Sequence, residues 1–269
     1  MGTFGILLLF ARTQLLRSLS LRRSWLVYGF TLGPSVLALL LATHARRITA
    51  EGIATNLSWF LFLQVVVPLV SLLAGQAVIS REVEDRTITY LFSRPIPRPA
   101  MFLGRTLGAL AFTTLLLLAG AALLLFAASQ GPTGKFPDAT RFPLAPLLED
   151  GLVLPLLVAV ALGSLAYTLL FAALGVFSKH PMILGLAYTF AIEGFLSNLP
   201  GSNQALAVQY YLRSWIAAHG AESWSHLEGF DMTDFESPSK VLVKLGLVAV
   251  LALALGSWRI QHKEFVLSA

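Results

Sequence analysis

Between Ser24 and Thr43 the chain carries no charged residue, and the same holds from Gly52 to Ser80, Thr106 to Gly134 and Gly151 to Ser178. Runs of this length constrain the fold more than any other feature, because about 20 apolar residues of helix are needed to cross the hydrocarbon layer of a bilayer. Inside lipid the backbone must satisfy its own hydrogen bonds, which leaves helices or a closed barrel. The runs lack a period-two alternation, so the barrel is excluded. Composition agrees: 12% of the 269 residues are charged, about half the share of an ordinary soluble domain. The expected fold class is all-α, a polytopic membrane protein whose single domain covers residues 1–269. Its six transmembrane helices are expected at about 24–43, 57–80, 106–128, 152–177, 182–199 and 241–258.

The N-terminal stretch has the wrong polarity for a secretory signal. Arg12, Arg17, Arg22 and Arg23 follow the apolar run Phe4–Ala11 rather than precede it. An interfacial amphipathic helix is expected instead, with Leu15, Leu16 and Leu19 dipping into the membrane. Gly33-Pro34 marks a possible kink in the first span. Gly104 and Gly108, four residues apart near the start of the third, would admit a neighbouring helix at close range.

Lys and Arg placement sets the orientation. With a cytoplasmic N-terminus and six spans, twelve of the nineteen basic residues fall inside and seven outside, although the inside loops are shorter. Both termini are therefore expected in the cytoplasm, and the membrane is expected to be the cell's inner one. The net charge of +5 is explained by arginines beside the spans, which meet anionic lipid headgroups, and not by a nucleic-acid partner. Cysteine is absent, which removes disulfides, thiol chemistry and Cys-based metal sites.

The most informative polar segment joins spans two and three. Glu82, Glu84 and Asp85 stand before a helix-capable run, and Arg94-Pro95 and Arg98 follow it. Acids at a helix start and cations at its end oppose the macrodipole, so a short charged helix clear of the bilayer is one reading and a solvated loop the other. The pattern Glu82-x-Glu84-Asp85-x-Thr87-Ile88-x-x-Leu91-x-Ser93-Arg94-Pro95-Ile96-x-Arg98, followed by Leu103-Gly104-Arg105, resembles the signature of ABC-2-type transporter permeases. Ile192–Pro200 is similar to the end of span five in the same family, and the six-span layout also matches, so the resemblance covers essentially the whole chain. Where many members carry Gly-Thr, this chain has Arg86-Thr87.

The resemblance implies a permease subunit, an exporter by family habit, that forms the translocation pathway. Glu82, Glu84, Asp85, Arg86, Thr87, Leu91, Arg94, Pro95 and Arg98 would make a coupling helix that fits a groove on a separate ATPase subunit. Two permease copies, as a homodimer or heterodimer, would work with two ATPases. The chain has no Gly-x-x-x-x-Gly-Lys-Ser/Thr loop to cradle phosphates. It is thus expected to hold no cofactor, with ATP and magnesium on the partner. An ATP-independent channel or scaffold is the alternative, and would need no coupling helix.

Glu193 is the only acid inside an expected span. An intramembrane carboxylate is costly and by default suggests a polar functional site; the structural alternative is a bond to a helix terminus or to Tyr188 or Thr189. The acidic stretch containing Glu222, Glu228, Asp231, Asp234 and Glu236, with His219 and His226, lacks the turn glycine of a calcium loop and reads as solvated, so no metal is expected. Tyr210, Tyr211, Trp215 and Trp224 read as interfacial anchors on a short helix lying on the outer leaflet. Catalysis is not expected. All five histidines stand at span ends or in loops, away from Ser164, and a His-Glu-x-x-His zinc site is absent.

Overall fold

The computed structural model describes residues 3–20, 24–44, 48–84, 97–131, 147, 151–178, 180–198, 202–220, 224 and 235–262, and among these every regular element is helical. Helix α1 (Thr3–Ser20) precedes α2 (Ser24–His44). A long rod follows, made of α3 (Ala50–Asn56), a π-helical segment (Leu57–Val66) and α4 (Val67–Glu84). Next come α5 (Arg98–Ala128), α6 (Val153–Phe177) and α7 (Pro181–Tyr188). The chain after α7 passes through a second π segment (Thr189–Phe195) and a 3₁₀ turn (Leu196–Asn198). A further 3₁₀ turn (Ser202–Leu206), α8 (Val208–His219) and α9 (Pro238–His262) complete the order.

Among the described residues, five segments are long and apolar enough to span a membrane: Trp25–His44, Ala50–Ile79, Arg98–Ala128, Val153–Phe177 and Pro238–His262. A further apolar segment, Pro181–Phe195, fifth in chain order, is shorter and falls below the roughly 20 residues of a full crossing. At the other extreme, the 31 residues of α5 rise about 46 Å, more than the hydrocarbon layer of about 30 Å requires. Its start is set by Pro97-Arg98-Pro99. Pro97 holds extended dihedrals (φ −60°, ψ 115°), and Pro99 occupies the first turn, where a missing N–H costs nothing. The rod begins on an orthodox cap: the Thr49 hydroxyl accepts from the Gly52 N–H at 3.2 Å, with Glu51 in the first turn opposing the dipole.

The bundle is sorted by polarity in the sense lipid demands. Leu115, Leu154, Val243 and Val250 point outward, whereas Ser58, Ser71, Thr106, Thr113 and Ser164 are wholly buried. The Thr106 and Thr113 hydroxyls donate to carbonyls one turn back, Phe102 and Ala109, each at 2.8 Å. The Ser164 and Thr114 hydroxyls pair across helices at 2.9 Å, and Ser164 also donates to the Ala161 carbonyl. With lipid as solvent, close backbone approach must do much of the work of association, and the glycines show where it does. A Cβ on Gly75 of α4 would lie 2.8 Å from the Thr168 carbonyl of α6. One on Gly104 of α5 would lie 2.6 Å from the Leu7 carbonyl of α1, and one on Gly108 would collide with the Ala11 carbonyl. The Gly104/Gly108 pair thus seats α1 on α5.

That seating gives α1 two faces. The face buried against α5 includes Gln14 and Ser18, while Leu16 and Leu19 are half exposed on the outside together with Phe4, Leu8 and Leu9.

Candidate functional site

Among the described residues, two places hold polar groups in an organised way, one at the C-terminal end of the rod and one beside its π-helical segment.

The first is the base of the connection between α4 and α5. Glu82 and Glu84 fall in the last turn of α4, and Arg98 opens α5. Asp85, Arg86, Thr87, Leu91, Arg94 and Pro95, with the short charged helix expected there, lie outside the described residues. Arg98 Nη1 donates to the Gln261 carbonyl at 3.4 Å. That carbonyl belongs to the last turn of α9, where the helix ladder leaves acceptors open and the dipole favours a cation. Two turns further along α5, the buried Arg105 donates from Nη1 to the Val78 carbonyl of α4 at 3.4 Å, and its guanidinium lies 5.6 Å from the centre of the Phe10 ring of α1. Beneath these contacts a compact apolar cluster joins Val78 and Ile79 of α4, Met101 and Phe102 of α5, Val176 of α6 and Ile260 of α9. Gly256 of α9 leaves room for the Phe102 ring, which a Cβ there would meet at 2.5 Å. The ends of α4, α5, α6 and α9 are therefore fastened together where the connection leaves the bundle, with the middle of α1 packed against them.

The second place lies around Glu193, where α7 gives way to the second π segment. Glu193 is 3% exposed. Its Oε1 accepts from the Tyr188 hydroxyl at 2.8 Å and from the Val208 N–H at 2.9 Å, and Oε2 accepts from the Gln209 N–H at 2.9 Å. Val208 and Gln209 open α8, whose cap position, Ala207, has no side-chain acceptor. A carboxylate from another element thus performs the capping, at the end of the helix where negative charge is favoured. Thr189 takes no part and donates to the Gly185 carbonyl. The Ser197 hydroxyl donates to the Glu193 carbonyl and closes the turn.

Gln209 continues the chain of contacts: its Nε2 donates to the Leu63 carbonyl at 2.6 Å. The reason that carbonyl is open lies in the rod. Within the first π segment the Val67 N–H bonds back to Phe62, five residues earlier. The matching donor for Leu63 would be residue 68, and Pro68 has no N–H. The side chain of Gln209 supplies the missing donor. Leu63 stands 15 residues before Val78 on the rod, roughly 22 Å away at 1.5 Å per residue.

These contacts place α8 inside the bundle, which corrects the surface helix expected from its aromatics. Leu212 and Ile216 are fully buried, Tyr211 and Trp224 nearly so, and Leu212 packs 3.0 Å from the position a Gly163 Cβ would take. Arg213 is buried with its guanidinium 5.4 Å from the centre of the Trp59 ring, and desolvation pulls its pKa below the ordinary arginine value. Where α8 meets α9, Lys244 donates to the Glu236 carboxylate and lies 5.4 Å from the Tyr211 ring centre. These cationic contacts hold the Glu236 carboxyl below its usual range. Sequence reasoning missed Gln209 and Pro68 altogether, although a proline within an expected span is a readable sign that one backbone acceptor needs an outside partner.

The family model for the ABC-2 family transporter protein matches residues 31–263, from the middle of α2 to just past the end of α9. The chain belongs to this family. No curated protein matches it. As an ABC-2 permease it is a multi-pass membrane subunit of a transporter and not itself a catalytic enzyme. Among its buried polar groups, the Ser164 hydroxyl is engaged by Thr114 and Ala161, and Glu193 by two N–H groups and a phenol. His219, the described histidine of the acidic stretch, stacks on Trp215 with ring centres 4.2 Å apart. Glu222, His226, Glu228, Asp231 and Asp234 lie outside the described residues.

Proposed function

We propose that this ABC-2 permease forms the translocation pathway of an ABC exporter in the inner membrane, with both termini cytoplasmic, driven by a separate ATPase that docks at the α4–α5 connection. The observation that carries the reading is the fastening of four helix ends at the base of that connection, through Arg98 to Gln261, Arg105 to Val78 and the cluster around Phe102. A push delivered to a floppy loop would be lost. Delivered here, it would move α4 and α5 as one body, with α1 and α9 following. The charged segment from Glu82 to Arg98 is the part the partner would grip, and the resemblance of that segment to the permease signature supports it.

The chain has no P-loop, so ATP and magnesium would sit on the partner. Two permease copies would line the pathway. ATP can bias the inward- and outward-open states only by its differential affinity for them. The rod and α5 would carry that bias across the membrane.

The test is affinity purification of the tagged chain from its host in mild detergent, with mass spectrometry of what co-elutes. A stoichiometric P-loop ATPase is the expected result, and reproducible elution of the folded chain without one would overturn the reading. In the complex, reversing Glu82 and Glu84 to lysine should abolish coupling while membrane insertion is unchanged. Normal ATPase binding by that variant would remove the coupling role from this segment.

A further inference from the structure

A cavity of about 440 Å³ opens between α1 and α5, lined by Thr13, Gln14, Leu16, Arg17 and Arg105. Its size falls within the roughly 300–1,000 Å³ of small-molecule sites. Its lining supplies two guanidiniums, one amide and one hydroxyl, the Thr13 hydroxyl already donating to the Phe10 carbonyl at 3.0 Å. Arg105 is 7% exposed and is held by the Val78 carbonyl and the Phe10 ring. An arginine presents five donors in a rigid fork, so it can keep a backbone carbonyl and still meet an anion. Gln14 is 4% exposed, stands over Gly108, and its side-chain amide has no hydrogen-bond partner among the described residues. The Gln14 side chain lines the cavity, and its amide carries two N–H donors.

We infer that this cavity binds the phosphodiester headgroup of an anionic membrane lipid. Two arginines with an amide donor suit a phosphate anion, because guanidinium forks match its oxygens in pairs. The position favours lipid as the source of the phosphate. Leu16, on the cavity wall, is half exposed, and Leu8 and Leu19 stand exposed on the same helix. Acyl chains leaving the headgroup would run over these leucines. The lipid would thereby pin α1 to the α5 surface that Gly104 and Gly108 already leave open to it. This site rests on the membrane character of the chain alone and is independent of the ATPase partner.

The test uses the full chain, delipidated in detergent and followed by thermal unfolding and native mass spectrometry. Phosphatidylglycerol in tenfold excess over its Kd should raise Tm by about 3 °C and leave one lipid bound in the gas phase. Zwitterionic phosphatidylcholine should do neither. Arg17→Gln and Gln14→Leu should each remove at least half of the Tm rise, and Arg17→Gln decides alone if the buried Gln14→Leu does not fold. A phosphatidylglycerol effect unchanged in the folded variants would place the lipid elsewhere and overturn the site. Inorganic phosphate that reproduces the shift and displaces the lipid would make the ligand a soluble phosphate and overturn the lipid assignment.

Discussion

The carboxylate of Glu193 accepts the backbone N–H of Gln209 at 2.9 Å across sixteen positions of sequence, and Gln209 in turn reaches the Leu63 carbonyl with its side chain at 2.6 Å. One residue thus takes a cap from the end of the fifth apolar segment and hands a donor to the second. Helix α8 is held at its first turn from both sides, which is why a helix with an arginine in its middle can sit inside the bundle.

Replacing Glu193 should therefore act on α8. Glu193→Ala leaves two N–H groups and the Tyr188 hydroxyl without an acceptor in a buried site, at a cost of about 2–4 kcal/mol. Glu193→Gln keeps one carbonyl acceptor and should lose roughly half as much. Thermal unfolding in detergent measures the ranking, and hydrogen exchange should show the amides of Val208 and Gln209 losing protection first. An alanine variant as stable as the parent would mean the cap is immaterial.

The seat of α1 can be tested by filling it. Gly104→Val or Gly108→Val places a branched side chain against the Leu7 or Ala11 carbonyl, and the helix must lift because backbone cannot yield as a side chain can. The chain has no cysteine, so Ser18→Cys gives a single reporter at a buried position of α1. Maleimide should label it slowly in the parent and at least tenfold faster in either valine variant, an opening worth about 1.4 kcal/mol. Equal labelling would show that α1 does not depend on the two glycines.

Glu236 gives a pH signature. Its folded carboxyl titrates below the ordinary value, chiefly because Lys244 donates to it. A depressed carboxylate contributes stability that is complete above its unfolded pKa, about 4.3, and is lost as pH falls through the folded value. Glu236→Gln should thus lower Tm slightly at pH 7, and the difference should vanish as the pH drops below about 4. The Lys244 side chain is 39% exposed, so salt should shrink the effect. A difference that grows on acidification would contradict the pairing.

Much of this architecture is legible in the uncharged runs, because a membrane helix is marked by length and apolarity alone. The helices outgrow those runs where the signal changes kind. Helix α5 starts at Arg98, not near 106, since prolines and arginines continue a helix that hydropathy has already abandoned. The segment 182–199 contracts to a short helix, a π segment and a 3₁₀ turn, because Glu193 must face α8 rather than lipid. Helix α8 was legible as a short helix but its burial was not, because Gln209, Arg213, Ser214 and His219 dilute its apolar residues. The Gly104/Gly108 spacing was readable, but the partner it serves was not, since spacing says that something comes close and not what.

The link between Pro68 and Gln209 makes the last prediction, and a proline makes it decisive. Pro68 has no N–H, so the Leu63 carbonyl cannot be served by the rod's five-residue ladder and takes the Gln209 amide instead. Gln209→Leu should then strand a buried acceptor and cost about 1–3 kcal/mol. Pro68→Ala restores a backbone donor at that position, so the same Gln209→Leu should cost much less in the Pro68→Ala background. A double-mutant cycle read by thermal unfolding should give a coupling of about 1 kcal/mol between two residues that lie 141 positions apart in sequence. Simple additivity would show that the rod satisfies Leu63 by other means, and that Gln209 holds α8 by packing alone.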